Sequence, residues 1–214
     1  MNRTNIEWCE WTWNPIVGCS PASAGCANCY AAAIAKRFGT SWGQPVFRPE
    51  RLEEPKRYKQ PGRIFVCSMS DIGHEQVDPL WRAQIRKAME AAPWHTYIVL
   101  TKRPQNLVAE DWSACWVGVT AENQAAADLR LSVLRKIPAQ VRFVSVEPML
   151  EAVELDLAGI DWVIAGPETG PAARPFNWQW LVHLQIACTK AGVPFFDKRK
   201  HSWARREWPE ITNA

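Results

Sequence analysis

Short apolar runs alternate along the chain with stretches in which apolar residues return every three or four positions. The runs at 13–17, 64–67, 96–100, 116–119, 142–146, 162–165 and 194–196 are rich in Val, Ile, Phe and Trp. Their composition predicts strands covered on both faces, as in parallel sheets. Helices are predicted over 28–38, 79–92, 122–136 and 178–191. In the last of these, Trp178, Leu181, Leu184 and Cys188 repeat at helical spacing. Pro79 suits a first helical turn and Gly192 a helix end. Strand followed by helix, repeated, is the pattern of βα units and a parallel sheet. A closed eight-stranded barrel usually takes about 250 residues, more than the 214 here. The expected fold is therefore α/β, an incomplete (β/α) barrel of about six to seven parallel strands. An open doubly wound sheet is the alternative, and strand order separates the two.

The predicted strands end in polar tags. Ser68, Met69, Ser70 and Asp71 follow the second run, with His74 and Glu75 just beyond. Thr101, Lys102, Arg103 and Pro104 follow the third, and Thr120, Ala121, Glu122 and Asn123 the fourth. Glu147 and Pro148 follow the fifth, and Gly166-Pro167-Glu168-Thr169-Gly170 the sixth. Strand C-termini of a (β/α) barrel converge on one rim, where active sites form. Such tags in succession predict a ring of polar groups around one site.

Composition narrows the class without naming a function. With 47% apolar and 22% charged residues, the chain has the make-up of a globular domain that buries a core without disulfides. Thirteen tryptophans are unusual; some belong in the core and some suit a site for flat rings. The net charge of +3 is too small to imply nucleic-acid binding by itself. The cations Lys198, Arg199, Lys200, His201, Arg205 and Arg206 cluster, however, with Trp203 and Trp208 among them. The predicted division is a main domain over 1–197 and a basic, Trp-containing tail over 198–214. Such a tail suits a nucleic-acid partner and, equally, a solvated helix end. No run reaches the roughly 18 apolar residues that cross a bilayer, and residues 1–13 lack the apolar core of a signal peptide. The expectation is a cytoplasmic protein with no membrane partner. Its seven cysteines then read as metal ligands, a reactive thiol or small core residues.

Cys19, Cys26 and Cys29 form a C-x6-C-x2-C run directly after the first predicted strand. Thiolates suit iron–sulfur clusters and zinc, and Gly18 and Gly25 allow a tight loop. Two intervening residues let Cys26 and Cys29 face one metal centre. An electron-transfer [4Fe–4S] cluster takes four cysteines and a structural zinc four ligands. Three cysteines leave one iron open to the amino and carboxylate groups of S-adenosylmethionine. Zinc completed by Cys9, Cys67 or His74 is an alternative, and three unrelated core cysteines another. Cys115 and Cys188 read as core residues.

Taken together, these segments resemble a known family. Asn5-Ile6-Glu7-Trp8, Trp13-Asn14-Pro15, Gly18-Cys19 and Gly25-Cys26-Ala27-Asn28-Cys29-Tyr30-Ala31 are similar to the phage Gp37/Gp68 family, a three-Cys-motif, radical-SAM-like domain of unknown function. The similarity continues through Arg63-Ile64-Phe65-Val66-Cys67-Ser68-Met69-Ser70-Asp71, His74-Glu75, Leu100-Thr101-Lys102-Arg103-Pro104 and Gly118-Val119-Thr120-Ala121-Glu122-Asn123. It extends to Val141-Arg142-Phe143-Val144-Ser145-Val146-Glu147-Pro148 and Gly192-Val193-Pro194-Phe195-Phe196. Two segments depart from the family pattern: Gly166-Pro167-Glu168-Thr169-Gly170, where a second glycine is usual, and Asp197-Lys198-Arg199-Lys200, where Lys-Gln-Trp-Gly is usual.

The resemblance implies a radical S-adenosylmethionine enzyme with a [4Fe–4S] cluster on Cys19, Cys26 and Cys29 and an external electron donor. A 5′-deoxyadenosyl radical would abstract hydrogen from a substrate carbon. The phage association implies DNA or a modified nucleotide as substrate, with any target base extruded or single-stranded. In that setting the backbone at Ser68, Met69 and Ser70 would meet the methionine amino group, and Lys102 or Arg103 its carboxylate. Glu122 or Asn123 would bind the ribose hydroxyls, Glu147 would share that work, and Glu168 would face the same rim. Asp71, His74 and Glu75 would bind substrate or move protons. Each has an ordinary competing role, as a helix cap or a solvated loop residue. A zinc-stabilised nucleic-acid-binding protein without catalysis is the alternative function, and a barrel-borne metal hydrolase ranks behind it.

Overall fold

The computed structural model of the chain describes residues 1–40, 42–199, 201–202 and 204–210. The elements in order are β1 (Asn2–Arg3), β2 (Trp11–Trp13), β3 (Ile16–Val17), α1 (Tyr30–Arg37), β4 (Val46–Phe47), α2 (Glu54–Arg57), β5 (Arg63–Val66) and α3 (Pro79–Glu90). They continue with β6 (Thr96–Thr101), β7 (Trp112–Thr120), α4 (Gln124–Leu134), β8 (Ala139–Val146), β9 (Trp162–Ala165), α5 (Trp178–Ala191) and β10 (Phe195–Asp197).

Eight strands form one sheet in the order β1-β2-β5-β6-β7-β8-β9-β10. All neighbours from β2 to β10 are parallel, and only β1 runs antiparallel. The order never reverses, so the doubly wound alternative, which requires a switch point, is excluded. Among the described residues no ladder joins β10 back to β2, and the sheet is not closed by hydrogen bonds.

The first predicted strand divides at Asn14-Pro15. Pro15 has no N–H for a ladder, and the Asn14 side chain accepts a hydrogen bond from the Met69 N–H at 2.8 Å. Residues 16–17 leave the main sheet and pair with β4. Pro79 does open a helix, capped by Asp78, and Gly192 ends one at φ 69°.

The two faces of the sheet are covered differently. Ile64, Val99, Val117, Val144 and Val163 pack under helical residues such as Ile85, Met89, Leu131, Leu134 and Leu184. The opposite face sends in Phe65, Ile98, Trp116, Phe143, Trp162 and Phe196, joined by Trp8 and not by any helix. Crossovers of one hand put all helices on one side when strand order is sequential. The other face packs on itself, which requires curvature. Trp8 lies 4.8 Å from the Phe65 ring of β5 and 6.4 Å from the Trp162 ring of β9, strands separated by three others. Gly118 makes room for this layer: a Cβ there would meet the Phe143 ring at 2.4 Å.

The basic segment read as a tail packs, where it is described, against the sheet. Phe196 bridges Arg206 antiparallel, and the Trp162 indole donates to the Glu207 carbonyl at 2.8 Å. Trp208 packs on Phe196 at 5.1 Å and lies beneath the Arg63 guanidinium at 4.5 Å. Its cations are neutralised within the chain, Lys198 by Glu147, Arg199 by Asp197, Arg205 by Glu207 and Arg206 by Glu7. The physical reason is apolar: Trp208 covers rings that would otherwise meet water. Lys200 and Trp203 lie outside the described residues. Among those residues no helix is long and apolar enough to cross a membrane.

Candidate functional site

The loop carrying Cys19, Cys26 and Cys29 lies over the C-terminal ends of the parallel strands. Its first turn is tied to the end of β5: the Gly18 N–H donates to Met69 O at 2.9 Å, and the Ser70 hydroxyl to Gly18 O at 2.6 Å. Gly18 has φ 91°, and a Cβ there would stand 2.1 Å from Gln44 O, so only glycine passes this point. Beyond the last cysteine, the Tyr30 hydroxyl donates to Ser68 O at 2.6 Å. The Ser68 and Met69 carbonyls, expected to meet an amino group, thus already accept bonds from the loop.

Arg103 holds the front of the loop. Its buried guanidinium donates to Glu75 at 2.7 Å, to Asp71 at 3.1 Å and to Ser20 O at 3.0 Å, and lies 3.9 Å from Cys19 Sγ. Asp71 also accepts from Thr101 Oγ1 at 2.5 Å, Gly73 N at 2.9 Å and Lys102 N at 3.1 Å. His74 accepts from Gln76 N at its Nδ1, 3.1 Å away, which leaves Nε2 as the donor to Ser20 Oγ at 2.8 Å. Burial, then the nearby Arg103 charge, holds this imidazole below its ordinary range, so it is neutral near pH 7. Asp71, His74 and Glu75, expected to act on substrate, are thereby placed as a bracket around Cys19 and Ser20. Burial pushes the Cys19 thiol up to about 11, with Asp71 adding to the rise and Arg103 opposing it.

The rear of the loop rests on β7 and β9. Glu122 is fully buried, paired with Arg130 at 2.8 Å, and packs against Gly25, where a Cβ would lie 3.2 Å from its carboxyl carbon. Asn123 caps α4 by accepting from Ala126 N at 2.9 Å, the ordinary role for such a residue. Neither borders the cavities described next. Glu168 is gripped by Arg174 and accepts from Asn28 at 2.9 Å, while Arg174 also reaches Ala24 O at 3.1 Å. Hydrogen bonds from Arg174 hold the Glu168 carboxyl at about 2.

Two adjoining cavities remain. The smaller, about 130 Å³, is lined by Cys19, Cys26 and Cys29 together with Asp71, Lys102 and Arg103. The larger, about 300 Å³, is lined by Cys29, Tyr30, Phe65, Lys102, Thr120, Ser145 and Glu147. Lys102 borders both, reaches Thr120 Oγ1 at 3.4 Å, and has no carboxylate partner among the described residues. Glu147 is paired with Lys198. Asn14, Asn28, Tyr30, Ser145 and Arg174 join the site without having been given a role there, and Thr120, part of a predicted tag, lines both cavities. Asn14 meets Met69 and Asn28 meets Glu168 from far away in the chain, whereas Arg174 pairs with Glu168 only six residues before it.

Among the described residues no three His, Cys, Asp or Glu side chains converge closely enough to hold one metal ion. Cys26 and Cys29, expected to face one metal centre, line one cavity together with Cys19. A [4Fe–4S] cluster gives each cysteine its own iron, whereas zinc draws four ligands to one centre. Cys9 and Cys67, candidate fourth zinc ligands, are buried and their thiols are pushed up to about 12 by that burial. Cys26 Sγ accepts from Ala22 N–H at 3.4 Å, and Cys29 is the N-cap of α1, where the helix dipole favours negative charge.

A family model described as "Protein of unknown function (DUF5131)" matches residues 3–213. No curated protein and no solved structure matches the chain.

Proposed function

The chain belongs to this family of unknown function, and from that premise we propose that it is a radical S-adenosylmethionine enzyme on an incomplete (β/α) barrel. The observation that carries the reading is the three thiols around one cavity that opens into a larger one past Lys102. Cys19, Cys26 and Cys29 would hold the [4Fe–4S] cluster. When bound, a three-cysteine cluster would pass one electron from the external donor to the sulfonium of S-adenosylmethionine, so that a sulfur–carbon bond breaks, methionine leaves and a 5′-deoxyadenosyl radical is available to take hydrogen from a substrate carbon.

The protein's part is binding and exclusion. Lys102, without a carboxylate of its own, is the cation for the methionine carboxylate, since an ionised partner makes the stronger hydrogen bond. Arg103 is occupied by Asp71, Glu75 and the Cys loop, and serves as support. Thr120, Ser145 and Glu147 line the cavity where hydroxyl groups need partners, and Tyr30 and Phe65 offer flat walls for a base. Asn28 is turned away from this cavity's centre to Glu168 and Ala172 by its hydrogen bonds. An external electron donor and a DNA base or modified nucleotide complete the proposal.

Anaerobic purification tests it. The protein should be brown, hold about four irons per chain, and after reduction convert S-adenosylmethionine to 5′-deoxyadenosine. Cys29→Ala should lose both iron and turnover while remaining folded. A colourless protein with about one zinc and no 5′-deoxyadenosine would defeat the reading.

A further inference from the structure

We propose that the cleft bordered by β1, α1 and β4, about 780 Å³ in volume, binds single-stranded nucleic acid. Of the eight large hydrophobic side chains exposed on the described surface, four line this one cleft: Tyr30, Ile34, Phe38 and Val46. Tyr30, Ile34 and Phe38 recur every four residues along one side of α1, where a surface helix ordinarily shows polar groups. Trp42 adds a third ring to Tyr30 and Phe38.

The charge of the cleft is one-sided. Arg3, Arg48 and Arg51 line it, and no Asp or Glu does so among the described residues. Arg51 donates to Asn14 O at 3.0 Å, and Arg3 lies over the Trp11 ring at 5.1 Å. None of the three has an ion pair among the described residues. An acidic peptide would use the arginines and leave the rings idle, whereas an apolar peptide would do the reverse. A nucleic-acid single strand uses both, with phosphates on Arg and bases stacked on aromatic rings.

The cleft is continuous with the candidate site. Ile6, Tyr30 and Lys198 line both it and the cavity beside Cys29. A strand in the cleft therefore runs past Tyr30 to the rim, which would make it the substrate; that last step rests on the enzymatic reading, while binding in the cleft does not.

The experiment is fluorescence anisotropy of a labelled DNA single strand of about 12 nucleotides with the full chain across a salt series. With three arginines on phosphates, log K should fall with log salt at a slope of about −2. Phe38→Ala should weaken binding by about 5- to 100-fold, the value of one stacked base. Arg48→Ala should reduce the slope by about 0.7. Lys190→Ala, on the far end of α5, should change nothing. Phe38 and Arg48 are exposed, and a matching thermal melt checks that each variant is folded. Equal binding of duplex, absence of binding at low salt, or indifference to Phe38→Ala with full displacement by polyglutamate would overturn the proposal, the last in favour of an acidic protein partner. Cys29→Ala should bind the strand unchanged, so failure of the cluster and failure of the cleft are separate results.

Discussion

Replacing Arg103 with Met should destabilise the fold before it affects any ligand. Arg103 and Asp71 are 5% and 6% exposed, and removing one member of a buried pair strands the other at a cost of about 3–5 kcal/mol. Asp71 keeps its bonds from Thr101, Gly73 and Lys102, which favours the lower end. Loss of the charged bond to Ser20 O adds about 1.5–3 kcal/mol, partly counted already, for a total near ~4 kcal/mol. Urea unfolding followed by tryptophan fluorescence is the assay. With a slope of about 2 kcal/mol per molar, the midpoint should fall by about 2 M. Asp71→Asn together with Arg103→Met should recover part of the loss, with a coupling of about 2 kcal/mol or more. A midpoint shift under about 0.5 M with weakened S-adenosylmethionine binding would refute the reasoning and return Arg103 to a ligand-binding role.

Other variants probe neighbouring features. Lys102→Met should show the opposite behaviour, with stability changed by less than about 0.5 kcal/mol and S-adenosylmethionine affinity, measured by calorimetry, reduced at least tenfold by loss of a charged partner (about 1.4 kcal/mol or more). Gly118→Ala should overpack the Phe143 layer by about 1–3 kcal/mol, lowering Tm by about 3–10 °C; Phe143→Leu in the same chain should restore some of it. The Glu168 carboxyl lies at about 2 in the folded protein against an ordinary 4.5, so its stabilisation is complete above pH 4.5 and is lost as pH falls towards 2. Thermal melts of Glu168→Gln should accordingly show lower stability at pH 7 and a shallower acid limb.

How far residues alone foretell this molecule depends on where their partners lie. The bounds of β9 and α5 match the predicted 162–165 and 178–191 because glycine or proline closes both. Six parallel strands were legible from apolar runs, since burial on both faces leaves a compositional trace; the seventh, β2, shares only Trp13 with the predicted run at 13–17. The short elements β1, β4 and α2 leave none, and β3, though inside the predicted run 13–17, pairs outside the main sheet; non-local bonds, such as Arg48 N to Pro15 O at 2.8 Å, make them. In the site, the cysteine spacing is local and was readable. The tags were read as a ring around one site, but their task was not. Arg103 meets Ser20 across 83 residues and Asn28 meets Glu168 across 140, distances that no spacing argument spans. The tags of β5, β6, β7 and β9 converge, yet largely to fasten the loop, and Lys102 is the exception that stays open. The ion pairs of Lys198 and Arg206 were not legible for the same reason, because Glu147 and Glu7 lie far away in sequence.

The aromatic layer beneath the rim acts as a stopper. Trp8, Trp116, Phe143 and Trp162 pack together in it, and Trp8 with Phe65 also lines the space beside Cys29. Under the proposed function, a nucleotide in that space would lie against Tyr30 and Lys198, which also line the neighbouring cleft, so a strand in the cleft and the nucleotide would share those two side chains.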